Sequence, residues 1–292
     1  MDGPASSVTR ALDATFSLLT RQAMAWLPVA LGLGWLSALP GALVERWIPD
    51  YLPMLTARYG GLDPNALMGG LILTLVVVLV QLIVELVALV VLYIVLADLA
   101  AGREVSIVAG LKRTLAWRLQ VSWLFSSILY TTATRLWFIG GCILFVPYGL
   151  AIPDAYEAGS GLGAFGRSHA LGNLRIGGGR GPQPGWSLAG ASTVILLVFA
   201  MASTAVYTLG ALFLPGPDLD AVLGALLALD PTDPDAPVRL MTALVRTPSW
   251  IETGWTILQA PLSLLRETAL LTVALVVYQD AVKHEGGAAQ PA

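Results

Sequence analysis

From Leu71 to Ala97 apolar side chains cover every helical face, and Gln81 and Glu85 are the only strongly polar interruptions. At ~1.5 Å rise per residue this run would reach ~40 Å as a helix, more than the ~30 Å of bilayer hydrocarbon. The pattern predicts a membrane-spanning helix, and similar runs recur along the chain. Upstream, Val8, Leu12, Phe16 and Leu19 share one helical face while Arg10, Ser17 and Arg21 lie on another. That arrangement predicts a short helix over residues 1–21 lying in the headgroup region.

The first span is expected at about 22–44, where Ala30, Gly34, Ala38 and Ala42 form a ridge of small side chains. Such ridges let helix backbones approach closely where lipid tails supply no hydrophobic drive. A loop rich in Pro, Gly and Tyr, residues 45–65, leads to a second span at about 66–101. Gly102 is expected to end it, and Ser106 to cap the next helix. There Val108, Leu111, Leu115 and Leu119 form an apolar stripe beside Arg103, Lys112, Arg113 and Arg118, an amphipathic basic segment at the membrane surface.

Residues 121–153 read as one long helix, a re-entrant pair or a tight hairpin. Topology decides for two crossings, at about 117–134 and 136–152, turning near Arg135, because the basic segments on either side both belong on the cytoplasmic face. Further spans follow at about 186–214 and 250–278, with a polar tail at 281–292. The intervening residues 215–250 are acidic and carry the turn-forming Pro231-Thr232-Asp233-Pro234. Cytoplasmic segments then hold ten Lys/Arg and external ones five, with Arg266 in the bilayer. Trp and Tyr residues mark both interfaces. The expected fold is all-α: a polytopic domain over 22–280 with six transmembrane helices, amphipathic interfacial helices and both termini cytoplasmic.

Composition agrees. The hydrophobic fraction is 56%, the charged fraction 12% and the mean hydropathy +0.75, all outside the globular range. No polar stretch is long enough for a separate soluble core. A net charge of −3 gives no reason to expect nucleic acid. Cys142 is the single cysteine, so neither an intrachain disulfide nor a cysteine metal cluster can form. Residues 1–21 are polar and mixed in charge, unlike a secretory signal.

Gly161-Leu162-Gly163-Ala164-Phe165-Gly166 matches the dinucleotide fingerprint G-x-G-x-x-G in letters alone. That motif works between a buried strand and a helix N-terminus, and no strand alternation surrounds it here. Gly177-Gly178-Gly179-Arg180 lacks a phosphate-loop ending, and His284-Glu285 lacks the second histidine of a zinc-protease helix. Neither a catalytic constellation nor a cofactor or metal site is expected, and the chain is read as a non-enzyme. Intramembrane polar residues remain: Gln81 and Glu85 one turn apart in the second span, Arg266 and Glu267 in the sixth. Charges at such depth face partners or a wet cavity, and a Glu85–Arg266 pair is the expectation.

Two patches resemble a bacterial family. Pro153, Glu157 and Ala164-Phe165-Gly166-Arg167-Ser168 with Leu171, then Tyr278-Gln279-Asp280 and Glu285-Gly286, are similar to segments of YciC-like inner-membrane proteins. The first patch also resembles the membrane domain fused to some glycerophosphodiester phosphodiesterases. The turn Gly102-Arg103-Glu104-Val105-Ser106 fits as well. Gln279 stands where the family carries a second aromatic residue. The resemblance implies a six-helix protein of the bacterial inner membrane, without phosphodiesterase activity because the catalytic barrel is missing.

The expected function is non-enzymatic organisation of lipid, anionic headgroups among it, or of a partner protein or second copy, through basic cytoplasmic faces. Arg103, Lys112, Arg113, Arg118, Arg167, Arg175 and Arg180 carry that expectation, each basic residue at an anionic surface being worth ~1 kcal/mol. The rival is a small transporter or channel with a polar midplane site at Gln81, Glu85, Arg266 and Glu267.

Overall fold

The computed structural model describes residues 7–57, 64–114, 146–158, 162–174, 183–214, 224 and 249–288. Every described element is helical: α1 (Val8–Arg21), α2 (Ala23–Ala57), α3 (Pro64–Ala100), α4 (Ile107–Thr114), the single turn α5 (Val146–Tyr148), α6 (Ala151–Ala158), α7 (Gly163–Gly172), α8 (Pro184–Phe213), α9 (Trp250–Gln259) and α10 (Pro261–Ala288). Three segments are long and apolar enough to cross a membrane: Ala23–Val44, Pro184–Phe213 and Trp250–Glu285. Val87–Ala100, at the end of α3, is a shorter apolar stretch. The expected spans at 117–134 and most of 136–152 lie outside the described residues, as do the basic side chains of Arg113, Arg118, Arg175 and Arg180.

Internal contacts divide the chain into two units. Unit 1 comprises Met1–Leu31, Leu86–Ala202 and Leu262–Ala292; unit 2 comprises Gly32–Glu85 and Ser203–Pro261.

In unit 1, α1 starts at Ser7, whose hydroxyl accepts the backbone N–H of Arg10. Its inward stripe is Ala11, Thr15 and Leu19, while Phe16 is exposed. The apolar face read from sequence is therefore rotated, because small residues allow the closer approach and the large ring is left outside. Trp26 donates its indole N–H to the Leu19 carbonyl at 2.8 Å, tying α1 to the helix that follows. Thr15, with no exposure, returns its hydroxyl proton to the Ala11 carbonyl at 2.7 Å, so burying it leaves no unmet donor.

α3 ends as the sequence predicts. Gly102 takes φ +64°, its N–H bonds the Leu99 carbonyl at 3.1 Å, and Arg103 N–H bonds the Asp98 carbonyl at 2.8 Å. This is a Schellman closure, which needs a residue without Cβ strain at the left-handed position. Ser106 accepts from Ala109 N–H at 3.4 Å and starts α4. The described end of the expected 136–152 span is no straight helix. A turn at Gly149 and Leu150 interrupts it, and α6 begins anew at Ala151. The core of the unit is formed by Leu92–Ala97, Leu150–Tyr156, Leu188–Ser192 and Leu270–Leu275.

In unit 2, one member of the small ridge of α2, Gly34, and the glycine Gly41, which lies off that ridge, allow close approach. A Cβ on Gly34 would lie 2.7 Å from Pro261 Cα, and one on Gly41 would lie 2.9 Å from Gln81 Oε1. Contrary to the expected loop over 45–65, α2 continues to Ala57. Pro49 and Pro53 lie within it, each lacking an N–H to donate. Arg46 sits 3.5 Å over the Trp250 ring, a cation–π contact at the start of α9.

The span at 250–278 is two helices, since Pro261 supplies no N–H and restarts the chain as α10. α9 opens with a reciprocal capping box: Ser249 N–H donates to Glu252 at 2.6 Å, and Glu252 N–H donates to Ser249 Oγ at 3.2 Å. Ser249→Ala is expected to lower the thermal stability of the detergent-solubilised protein by ~1 kcal/mol. Glu252→Gln should cost less, because the amide oxygen still accepts. Equal losses would contradict the capping role.

Candidate functional site

The polar side chains of unit 1 concentrate where the ends of α3 and α10 meet α6 and α7. Two arginines organise the cluster. Arg167, on α7, donates from Nε to Asp154 Oδ1 at 3.0 Å and from Nη2 to Glu285 Oε2 at 3.1 Å. Asp154 has no solvent exposure, and the same oxygen accepts the Tyr278 hydroxyl at 3.3 Å. Burying that carboxylate is tolerable only because a cation and a hydroxyl replace water around it.

Arg103 makes the second fork. Its Nε lies 3.0 Å from Asp98 Oδ1 and its Nη2 lies 3.3 Å from Glu157 Oε1. Partial burial works against the Arg103 charge, but the hydrogen bonds to Glu157 and Asp98 outweigh it and raise its pKa. Asp98 occupies the last turn of α3, where the helix dipole disfavours a negative charge. Arg103 and the Ser106 N–H, 3.4 Å from Asp98 Oδ2, compensate it. The fork therefore joins the α3 terminus to α6.

Ser168 fixes the base of the cluster. Buried completely, it donates to the Pro147 carbonyl at 3.0 Å and accepts from Leu150 N–H at 3.2 Å. The irregular α5–α6 turn is thus stapled onto α7 by one hydroxyl that both donates and accepts. Tyr93 on α3 and Tyr156 on α6 meet edge to face, 5.1 Å between centroids.

The residues that carried the family resemblance are the ones brought together: Arg103 with Glu157, Arg167 with Glu285, Ser168 with the α5–α6 turn, and Tyr278 with Asp154. Asp154 was not singled out from the sequence. Its signal was faint, a lone carboxylate in the run Leu150–Tyr156 that is otherwise apolar.

Other expected site residues fall elsewhere. Lys112 is exposed on α4, beside exposed Ile107 and Val108. Arg266 reaches the adjacent carboxylate of Glu267, at 2.7 Å from Nη2 and 3.2 Å from Nε. Gln81 packs against Gly41 in unit 2, and the side chain of Glu85, on which the expected Glu85–Arg266 pair depends, lies outside the described residues. Among the described residues no group of three His, Cys, Asp or Glu side chains is placed to hold a metal. The dinucleotide-like glycines that are described, Gly163 and Gly166, lie in the first part of α7, with no strand before them among the described residues.

What the arrangement does chemically is lock elements together. Each of the two arginines is already engaged by two carboxylates. Compared with family models, curated proteins and solved structures, the chain matches none of them.

Proposed function

We propose that this chain is a non-enzymatic, multi-pass protein of the bacterial inner membrane, with six spans and both termini cytoplasmic, that organises anionic lipid at the cytoplasmic surface. The observation that carries the reading is α4. This amphipathic helix leaves Ile107, Val108 and Lys112 exposed together, with Val108 67% accessible, directly after an apolar helix end. A helix that exposes apolar and basic side chains side by side suits the boundary between headgroups and acyl chains. In this reading lipid contact falls to Lys112, Arg113, Arg118, Arg175 and Arg180, and Arg103 and Arg167 serve internal pairing.

The test is to neutralise Lys112, Arg113 and Arg118 together and measure retention of anionic phospholipid on the purified protein as salt is raised. Retention should fall in the triple variant, and the difference should shrink with salt because exposed charges are screened within ~10 Å at 0.1 M. Retention equal to that of the unmodified protein would reduce this basic face to a topology signal. The transporter reading instead expects little from the triple variant and a large loss of function from Glu85→Ala.

A further inference from the structure

Helix α1 leaves part of its apolar surface outside the protein. Ala11, Thr15 and Leu19 turn inward, while Phe16 is 48% exposed and Leu12, one turn before it, is half-buried. Further on, Met24 is 92% exposed, the highest value among the large apolar side chains described. The corner between Phe16 and Met24 is pinned. Gln22 N–H bonds the Leu18 carbonyl at 3.1 Å, and the Trp26 indole reaches back to the Leu19 carbonyl. Thr20, one turn after Phe16, donates its hydroxyl proton to the Phe16 carbonyl at 2.6 Å. The donor beside the ring is therefore satisfied without water. Ala23 begins a segment long and apolar enough to cross a membrane, and it follows Phe16 by ~10 Å of helix.

We infer that Phe16 and Met24 dip into the acyl-chain boundary of the leaflet at which α2 begins, so that α1 is held by protein on one side and by lipid on another. The occupant follows from continuity. The exposed apolar side chains form an edge that runs straight on into a membrane-crossing segment, so the surface that covers that segment covers them too. Interfacial helices bury their apolar side ~5–10 Å into the boundary between headgroups and acyl chains, and Phe16 lies within about that reach of Ala23. The cations of α1 stand clear of the ring. At 100° per residue Arg10 and Arg21 lie ~120° and ~140° round the helix from Phe16. Both line the side that faces the end of α10. The apolar face expected from Val8, Leu12, Phe16 and Leu19 is thus divided: Leu19 belongs to the protein core, and the Phe16 edge belongs to lipid. The inference rests on the membrane setting of the proposed function and on none of its α4 residues.

The test is site-directed fluorescence on the full chain, reconstituted in vesicles of phosphatidylethanolamine and phosphatidylglycerol. In a Cys142→Ser background, the single variants Phe16→Cys, Met24→Cys, Asp13→Cys and Met201→Cys each carry a bimane probe. Quenching is measured with a nitroxide on the upper acyl chain and with iodide in the water. Met201, 68% exposed near the middle of α8, reports the membrane setting itself. Asp13, exposed on α1, reports water. Probes at positions 16 and 24 are expected to be quenched by the lipid nitroxide and to emit to the blue of the probe at 13. Their quenching by iodide should be on the order of tenfold weaker than at 13, the preference that burying an aromatic side chain confers. Iodide quenching at 16 equal to that at 13, while the probe at 201 meets lipid, would overturn this proposal alone. Shielding of position 16 from both quenchers would overturn it too, because protein would then cover the ring. A probe at 201 quenched only by iodide would overturn the membrane reading and the proposal with it. If Phe16→Cys fails to fold, Thr20→Cys, exposed one turn further along the same edge, takes its place.

Discussion

Arg167→Met is expected to destabilise the detergent-solubilised protein by about 3–5 kcal/mol, the largest single-residue effect at the charge cluster. The reason is the asymmetry of exposure. Asp154 is fully buried, whereas the Arg167 side chain is 43% exposed and Glu285 47%. Removing the arginine takes the cation away from a carboxylate in the core, which keeps the Tyr278 hydroxyl. Asp154→Asn should cost far less. The amide oxygen can still accept from Tyr278, and Arg167 keeps Glu285 near solvent. Combining Asp154→Asn with Arg167→Met should recover much of the loss, because no buried charge then lacks a partner. Thermal or denaturant unfolding of the three variants measures this, and additive losses in the double variant would mean that the pair is not coupled.

Gly185→Ala should have the next largest effect. A Cβ there would run into the Val146 carbonyl oxygen and stand 2.9 Å from the Gly172 carbonyl oxygen, and one on Gly172 would meet the same Val146 oxygen. The turn before α6 is wedged between two helices whose contact points are bare backbone. The atoms met are main-chain carbonyls, which cannot rotate aside as a side chain would. The expected loss is about 3 kcal/mol, the upper end for overpacking. Gly166→Ala is the internal control. It lies on α7 beside the same cluster, nothing approaches its Cβ position within 4 Å, and helix propensity favours alanine by up to ~1 kcal/mol. A loss at Gly166 as large as that at Gly185 would show that the glycines matter for chain flexibility rather than for close approach.

Both predictions rest on features that were only partly legible in the chain. The Gly102 stop and the Ser106 cap could be read directly, because a helix C-terminus needs a left-handed residue and the next N-terminus needs a hydroxyl, both local requirements. The ridge of small residues on α2 could be read too, although the partner of Gly34, Pro261, could not. The extent of α2 was misjudged because Pro49 and Pro53 were weighed as loop formers, and the helix runs through both to Ala57. The basic residues show the limit most clearly. Arg103 and Arg167 looked like surface cations among others, and nothing within a few residues of either says that Glu157 or Glu285 will reach it.

By itself the sequence determined the helical class, the presence of segments long and apolar enough to cross a membrane, and the local signals that start and stop helices. These follow from periodicity, length and backbone chemistry within a few turns of chain. Only the tertiary structure decided which charges neutralise one another. Arg167 and Glu285 are 118 residues apart and Arg103 and Glu157 are 54 apart. Whether a cation is a ligand contact or half of an internal bridge depends on which carboxylate the fold brings within about 3 Å. That distance is fixed by packing between helices, which no local pattern encodes.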